Sequence, residues 1–473
     1  MAGAKNKRKP QKMAFPIKLK NARRMEILMK QTINRITCWY LIFYAIYSLS
    51  TRFMPTKIVC AGPLEDILYK GVVIVAGLLA LCYIFLLAKT IRPDRQLCLL
   101  AVFLVILGIS TILNRNYEFV GNVMGMATFV VQLILFYFLP YMMPDERISV
   151  WLKRMTACLS FFWSIACVSS LSQYIGNIHY LTLHPDGRLV RQGIVDGRLF
   201  GMFSDPNFAA FTSLLLIILL LREWKRGDKW FRVYIAVCIA ASLAYLIMSN
   251  SRTIYLSAIG TLVFYIALIT YHQYCQSGGK NRRFYLCRLV KRTAVSLAAA
   301  VVVYTAVFFS IQGIGYLAAP DRSTDDMVRE DVNVENLTNN RSTIWKNYLT
   351  LYKDKPIFGF SIGSALPYVT EKDPDSYLAQ TRYVTHNSYL SLLIETGITG
   401  FLVMAAFFLL TISESLKRIR QKHNITDSYL MFASIIAAVL TFMLCFHDIF
   451  FTVNLETMLL FTSIGYIRYA NQH

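Results

Sequence analysis

The 473-residue chain is 56% hydrophobic, 14% aromatic and only 16% charged, against roughly 25% charged in an ordinary soluble domain. Apolar runs of membrane-crossing length, about 17 to 25 residues, recur throughout, which excludes a soluble enzyme with a single anchor. A net charge of +22 would suggest nucleic acid in a soluble protein, but no recognition motif or aromatic interleaving accompanies the basic runs.

Residues 1–35 form a basic tail in which Lys5, Lys7, Arg8, Lys9, Lys12, Lys18, Lys20, Arg23, Arg24, Lys30 and Arg35 face only Glu26. Such a tail is expected to stay in the cytoplasm against anionic lipid. It is too long for a signal peptide and no small-residue cleavage site precedes Arg52, so the first apolar run is read as retained. Residues 36–473 then read as one transmembrane domain, an all-α polytopic membrane protein with about twelve helical spans. They are expected at 36–50, 67–88, 97–113, 121–141, 152–174, 207–221, 233–248, 254–271, 294–311, 388–412, 429–446 and 449–467.

Charge supports this count. With the tail inside, the loops after even-numbered spans carry Lys89, Arg92 and Arg95, then Arg147, Lys153 and Arg154, then a run from Arg222 to Arg232. The next two carry Lys280 to Arg292 and Lys417 to Lys422. That bias is what the positive-inside rule requires, and it places both termini in the cytoplasm. The ten cysteines contain no CxxC pair and are read mainly as small packing residues.

Two external segments are expected, 175–206 and the long loop 312–387 between spans nine and ten. The first ends in Gly197-Arg198-Leu199-Phe200-Gly201-Met202-Phe203-Ser204-Asp205-Pro206-Asn207, where Pro206 suits a helix start. Ser249-Asn250-Ser251-Arg252-Thr253 is a very short turn on the same side. The long loop holds Asp321, Asp325, Asp326, Glu330, Asp331 and Glu335, and then a helix beginning at Arg341. Ile344, Tyr348 and Tyr352, with Trp345 and Leu349 beside them, make a face suited to the outer membrane surface. Lys355-Pro356-Ile357-Phe358-Gly359 stops that helix.

His386-Asn387-Ser388-Tyr389-Leu390 follows, running into Ile394-Glu395-Thr396-Gly397-Ile398-Thr399-Gly400. Taken singly, His386 reads equally as an interfacial cap, Arg252 as a membrane anchor and Arg341 as a solvated charge. Together they form an anionic-ligand site at the outer surface. A guanidinium fork donates paired hydrogen bonds to phosphate and stays charged, while an imidazole exchanges protons near neutrality. The set fits displacement of a diphosphate by a hydroxyl, with arginines taking the growing charge and His386 the proton. The external acidic residues are scattered and form no clear metal constellation, so the chemistry is expected to need neither metal nor cofactor. Glu395, nine residues on, would lie about 180° around and roughly 13 Å along an ideal helix from His386. It is expected to serve helix packing near Gly397 and Gly400. His447-Asp448 reads as a turn pair.

The sequence resembles the O-antigen ligase and polysaccharide-polymerase superfamily. The resemblance rests on residues 198–207, on Ser251-Arg252, on Arg341 followed by Trp345 and residues 356–359, and on His386-Asn387 followed by Glu395, Gly397 and Gly400. It covers mainly residues 190 to 412. The resemblance implies a glycosyltransferase-C-like fold of many transmembrane helices in the bacterial cytoplasmic membrane, with its site on the external face. It implies a donor glycan on a polyprenyl diphosphate, commonly undecaprenyl diphosphate, and inverting transfer to a hydroxyl of a glycan, lipid, protein or envelope polymer. By the same resemblance Arg252 and Arg341 would bind diphosphate, Arg198 a phosphate or the glycan, and His386 would activate the acceptor. Asn207, Asn387 and Glu395 would support them.

Ligase-type transfer leads, with joining of lipid-linked repeat units as its close competitor. A lipid-linked glycan flippase is the alternative of another class. Transporters place charged or broken-helix sites near the midplane with repeat symmetry, whereas here the polar constellation is external and no repeat is evident.

Overall fold

The computed structural model describes residues 17–60, 62–88, 91, 93–143, 145–183, 189–321, 340–421, 425–447 and 449–472. The basic residues before Ile17, Lys89, Arg92, Asp325, Asp326, Glu330, Asp331, Glu335, Lys422 and Asp448 lie outside the described residues.

In chain order the helices are α1 (Ile17–Ser50), α2 (Met54–Val59), α3 (Pro63–Leu87), α4 (Arg95–Leu113), α5 (Phe119–Gln132), α6 (Leu139–Met142) and α7 (Asp145–Ile175). A π-helical turn, Leu133–Tyr137, continues α5. After three strands come α8 (Pro206–Trp224), α9 (Lys229–Met248), α10 (Arg252–Gln276), α11 (Arg282–Ala318), α12 (Arg341–Tyr352), α13 (Ala365–Lys372), α14 (Tyr377–Thr381), α15 (Ser388–Gln421), α16 (Asp427–Phe442) and α17 (Leu455–Gln472). Among the described residues, nine of these helices are long and apolar enough to cross a membrane, and α16 is apolar but shorter. The chain is therefore a polytopic, mainly helical membrane protein.

Several boundaries differ from the sequence expectation. α1 starts at Ile17 rather than near 36, so the second half of the basic tail continues a helix. α11 runs Arg282–Ala318 instead of 294–311, because its basic first turns are helical without being apolar and the helix continues past Gln312 and Gly313. The final helix begins at Leu455 rather than 449. Before it, Asn454 folds its side chain back onto the Ile449 carbonyl at 3.0 Å. The fold is also not purely α: β1 (His179–Leu183), β2 (Leu189–Val195) and β3 (Arg198–Gly201) make an antiparallel sheet in the order β1-β2-β3. All ten cysteines are unpaired.

α17 is the axis of the bundle. Every residue from Leu455 to Arg468 is buried, as expected of a helix that meets protein on all sides. Its two charges sit at its ends. Glu456 near the N-terminus lies 3.5 Å from the Arg52 guanidinium, and Arg468 near the C-terminus donates to Asp94 at 2.5 Å. Both signs complement the helix dipole.

The 12-residue α12 does not lie on the membrane with its expected face. Ile344, Tyr348 and Leu351 are buried against Phe360, Val369, Leu378, Leu390 and Ile394, while Leu349 is exposed. The segment after α12 folds back over the apolar face and covers it with protein.

α15 contains a break at Gly397, with φ 65° and ψ −172°. The 356–361 segment lies across it: Ile398 N donates to Pro356 O at 2.9 Å, Phe360 N to Ile394 O at 2.8 Å and Ser361 N to Glu395 O at 2.8 Å. A Cβ on Gly397 would stand 2.1 Å from Ile357 O, and one on Gly359 would stand 2.4 Å from Ile394 O. Both glycines have positive φ, so two backbones can approach only because neither carries a side chain. The strap uses the carbonyls and amides that the broken helix leaves over.

Candidate functional site

Two clusters meet at the end of the bundle that holds Glu456. The first is built on Asn207. Asp205 caps α8, its carboxylate accepting from Asn207 N at 2.7 Å. The Asn207 side-chain oxygen accepts from Arg198 at 2.6 Å and from the Ser251 hydroxyl at 2.7 Å. Arg198 also donates to Ser249 O at 3.2 Å, and Asn250 donates to Gly197 O at 3.0 Å. β3, the start of α8 and the α9–α10 turn are thus tied together. Ser251 is the N-cap of α10 and Arg252 its first residue, with Arg252 exposed. A guanidinium at a helix N-terminus adds to a place already favourable for anions.

The second cluster is built on His386, which adopts a left-handed conformation at φ 48°. Asn387 starts α15, its side-chain oxygen accepting from Tyr389 N at 3.0 Å and Leu390 N at 3.1 Å. α12 holds the residues before His386: Trp345 donates to Thr385 O and Tyr348 to Tyr383 O, both at 2.9 Å. Ser388 N donates to Met443 O at 2.8 Å and its hydroxyl to Phe446 O. That tie to the α16 exit brings in His447, whose ring meets the His386 ring edge-on with centroids 5.3 Å apart.

The electrostatics join the clusters. Burial, and next the positive charge of Arg341, lower the His386 pKa from its ordinary 6.5, while Asp205 opposes them. His447 is lowered to about 4, first by burial, then by His386 and Arg52, again against Asp205. Asp205 therefore lies within electrostatic range of both imidazoles while capping the helix that carries Asn207. At neutral pH both rings are uncharged, and His386 can accept a proton.

The structure brings Arg198 together with Asn207 and Ser251, and His386 with Arg341 and Asn387. Arg198 spends hydrogen bonds on bracing the α9–α10 turn. Asn207 and Asn387 likewise position their neighbours.

Glu395 is the correction. It does not turn away from the site but lines a cavity of about 230 Å³ together with His447, Thr385 and Tyr348, and its charge helps burial raise the Tyr348 pKa. The ideal-helix projection fails because His386 lies before α15, in a left-handed turn. The expected tie to helix packing is met by its main chain: Glu395 O accepts from Ser110 and from Ser361 N.

Sequence reasoning passed over two residues. His447 is not merely half of a turn pair, since it abuts His386. Arg52 stacks 3.7 Å over the Phe208 ring beside Asn207 and pairs with Glu456. Arg52 carried a signal in its position, a basic residue at the external end of the first expected span. Among the described residues, no three His, Cys, Asp or Glu side chains converge.

Residues 236–405 match a family model described as O-antigen ligase. The match contains Arg252, Arg341, His386, Asn387 and Glu395 and ends beyond the Gly397 break. No curated protein matches the chain.

Proposed function

Because residues 236–405 place the chain in the O-antigen ligase superfamily, we propose that it is a membrane glycosyltransferase of the ligase type. The donor is a glycan on a polyprenyl diphosphate, undecaprenyl diphosphate being the expected carrier, and the acceptor is a hydroxyl group. The superfamily takes in ligases and polymerases, so membership supports lipid-linked glycan chemistry in general, and the finer reading rests on the site.

The observation that carries it is His386, uncharged at neutral pH, clamped by neighbours on α12 and α16 and within electrostatic reach of Arg341. In the proposed step the acceptor oxygen attacks the anomeric carbon while the bond from that carbon to the diphosphate oxygen breaks. The acceptor's proton passes to the unprotonated nitrogen of His386. The diphosphate leaves with its charge compensated by Arg252 and Arg341. Attack opposite the leaving group inverts the anomer, and no step calls on a metal. Arg198 acts through Asn207 by holding the α9–α10 turn that presents Arg252.

The proposed topology has twelve spans, with α1, α16 and α17 added to the nine helices that are long and apolar enough to cross, both termini in the cytoplasm and the His386 end outside. It is supported by the basic residues at the opposite ends of the helices. The described part of the segment between α11 and α15 then contributes Arg341 and the wall of the cavity.

Reconstitution of the purified chain with a lipid-diphosphate glycan and candidate acceptors, followed by mass spectrometry of the products, tests this reading. Glycan joined to a distinct core, protein or envelope polymer supports the ligase assignment. One enlarged lipid-linked glycan would make the chain a polymerase. Movement of intact donor across the bilayer without any new glycosidic bond would make it a transporter.

A further inference from the structure

A second polar cavity lies at the far end of the bundle. From Ser170, beside the sheet that carries Arg198, α7 runs back to Arg147 over about 34 Å at 1.5 Å per residue. Between the start of α7 and α1 is a space of about 460 Å³. Arg35 of α1 and Arg147 and Arg154 of α7 line it, with Glu146 as the one acidic side chain of the lining. Arg147 and Arg154 are two helical turns apart and Arg35 faces them from the other helix, so three exposed guanidinium groups share one rim.

The floor of this cavity is polar in a way that bundle packing does not require. Asn34 is 4% exposed and Trp151 3% exposed. Asn34 donates its amide to Met142 O at 2.6 Å. Its side-chain oxygen and the Trp151 indole N–H have no hydrogen-bond partner among the described residues. Buried polar atoms are costly to leave unsatisfied, and here the residues that carry one such acceptor and one such donor both line the cavity. Beside them Trp39 and Val150 line the cavity and are exposed on the bundle surface, as suits contact with acyl chains.

We propose that this cavity binds the headgroup of an anionic glycerophospholipid whose headgroup carries hydroxyls, phosphatidylglycerol being the simplest such lipid. The phosphate takes the arginine rim and the Trp151 N–H, since a phosphodiester offers only acceptors. A headgroup hydroxyl donates to the Asn34 oxygen, which the phosphodiester itself cannot do. The acyl chains run along Trp39 and Val150. The inference is independent of the glycan chemistry at the other end.

Native mass spectrometry of the full-length chain in detergent, with equal phosphatidylglycerol and phosphatidylcholine added, tests the site. At roughly five-fold per guanidinium at a leaflet surface, the wild-type chain retains phosphatidylglycerol in clear preference. Arg35→Gln/Arg147→Gln/Arg154→Gln loses that preference, and Asn34→Leu weakens phosphatidylglycerol more than phosphatidylethanol, an anionic phosphodiester without a headgroup hydroxyl. Lys280→Gln/Arg282→Gln/Arg283→Gln removes the same charge elsewhere and keeps the preference. Equal phosphatidylglycerol retention in the two triple variants would overturn the site. Displacement of the lipid by inorganic phosphate would overturn the lipid as its ligand.

Discussion

The His447 ring stands edge-on to the His386 ring, with planes at 87° and centroids 5.3 Å apart. A second imidazole so close, itself held neutral down to about pH 4, gives His386 a buried and uncharged neighbour. Nearby positive charge comes from Arg341, and Asp205 works against it.

A pH dependence follows. A base whose pKa is depressed is unprotonated above that pKa, so activity is full at neutral pH and falls on acidification, with a midpoint below 6.5. Arg341→Gln removes a charge that disfavours protonation and moves the midpoint up. Asp205→Asn removes a charge that favours it and moves the midpoint down. Product formation measured from pH 4.5 to 8 at saturating donor reads both shifts. Parallel shifts in the two variants would contradict the assignment of His386 as the base.

Asn207→Ala removes the acceptor shared by Arg198 and Ser251. The expected loss is about 1–3 kcal/mol of stability, the usual cost of leaving such donors unpaired. KM for the lipid donor should rise more than kcat falls, because Arg252 loses its frame rather than its charge. Arg198→Lys should behave alike, since an ammonium lacks the spaced Nε–H and Nη–H donors that reach Ser249 O and Asn207 separately. Denaturation and steady-state kinetics check the pair.

Arg52→Ala leaves Glu456, 1% exposed, inside the bundle without its cation. Losing one partner of a buried pair costs about 3–5 kcal/mol, whereas replacing both with apolar residues is often neutral. Thermal unfolding should therefore place Arg52→Met/Glu456→Met above Arg52→Ala. The reverse order would mean that Glu456 needs no partner.

Gly397→Ala forces a Cβ to 2.1 Å from Ile357 O at a residue with φ 65°. Backbone strain alone costs on the order of 1–3 kcal/mol, and the strap must also lift. Reduced thermal stability together with lost activity is expected, since the strap passes next to the cavity wall that includes Ile362 and Gly363.

The apolar runs make the helices legible, residues 355–359 mark the end of α12, and the His386–Gly400 pattern marks the segment that carries the proposed base; that residues 356–361 cross the break in α15 is not legible. Pairings between distant segments were not legible. His447 reaches His386 through the Ser388 contacts to Met443 and Phe446, and neither periodicity nor charge foretells such a contact. The place of Glu395 relative to His386 does not follow from an ideal helix, because His386 sits in a left-handed turn before α15. The covering of α12 by protein was hidden for a related reason: an amphipathic face shows that something covers it, not what. The small sheet at 179–201 was likewise missed within a segment read only as external.

The direct test of the central claim is glycan transfer by His386→Ala and Arg252→Ala, each reconstituted with the same lipid-diphosphate donor and acceptor as the wild-type chain. Loss of a positioned base typically costs 10²–10⁴-fold, so His386→Ala should lose transfer by that order while still binding donor. Arg252→Ala should lose transfer with weakened donor binding. Undiminished product from both variants would contradict the account.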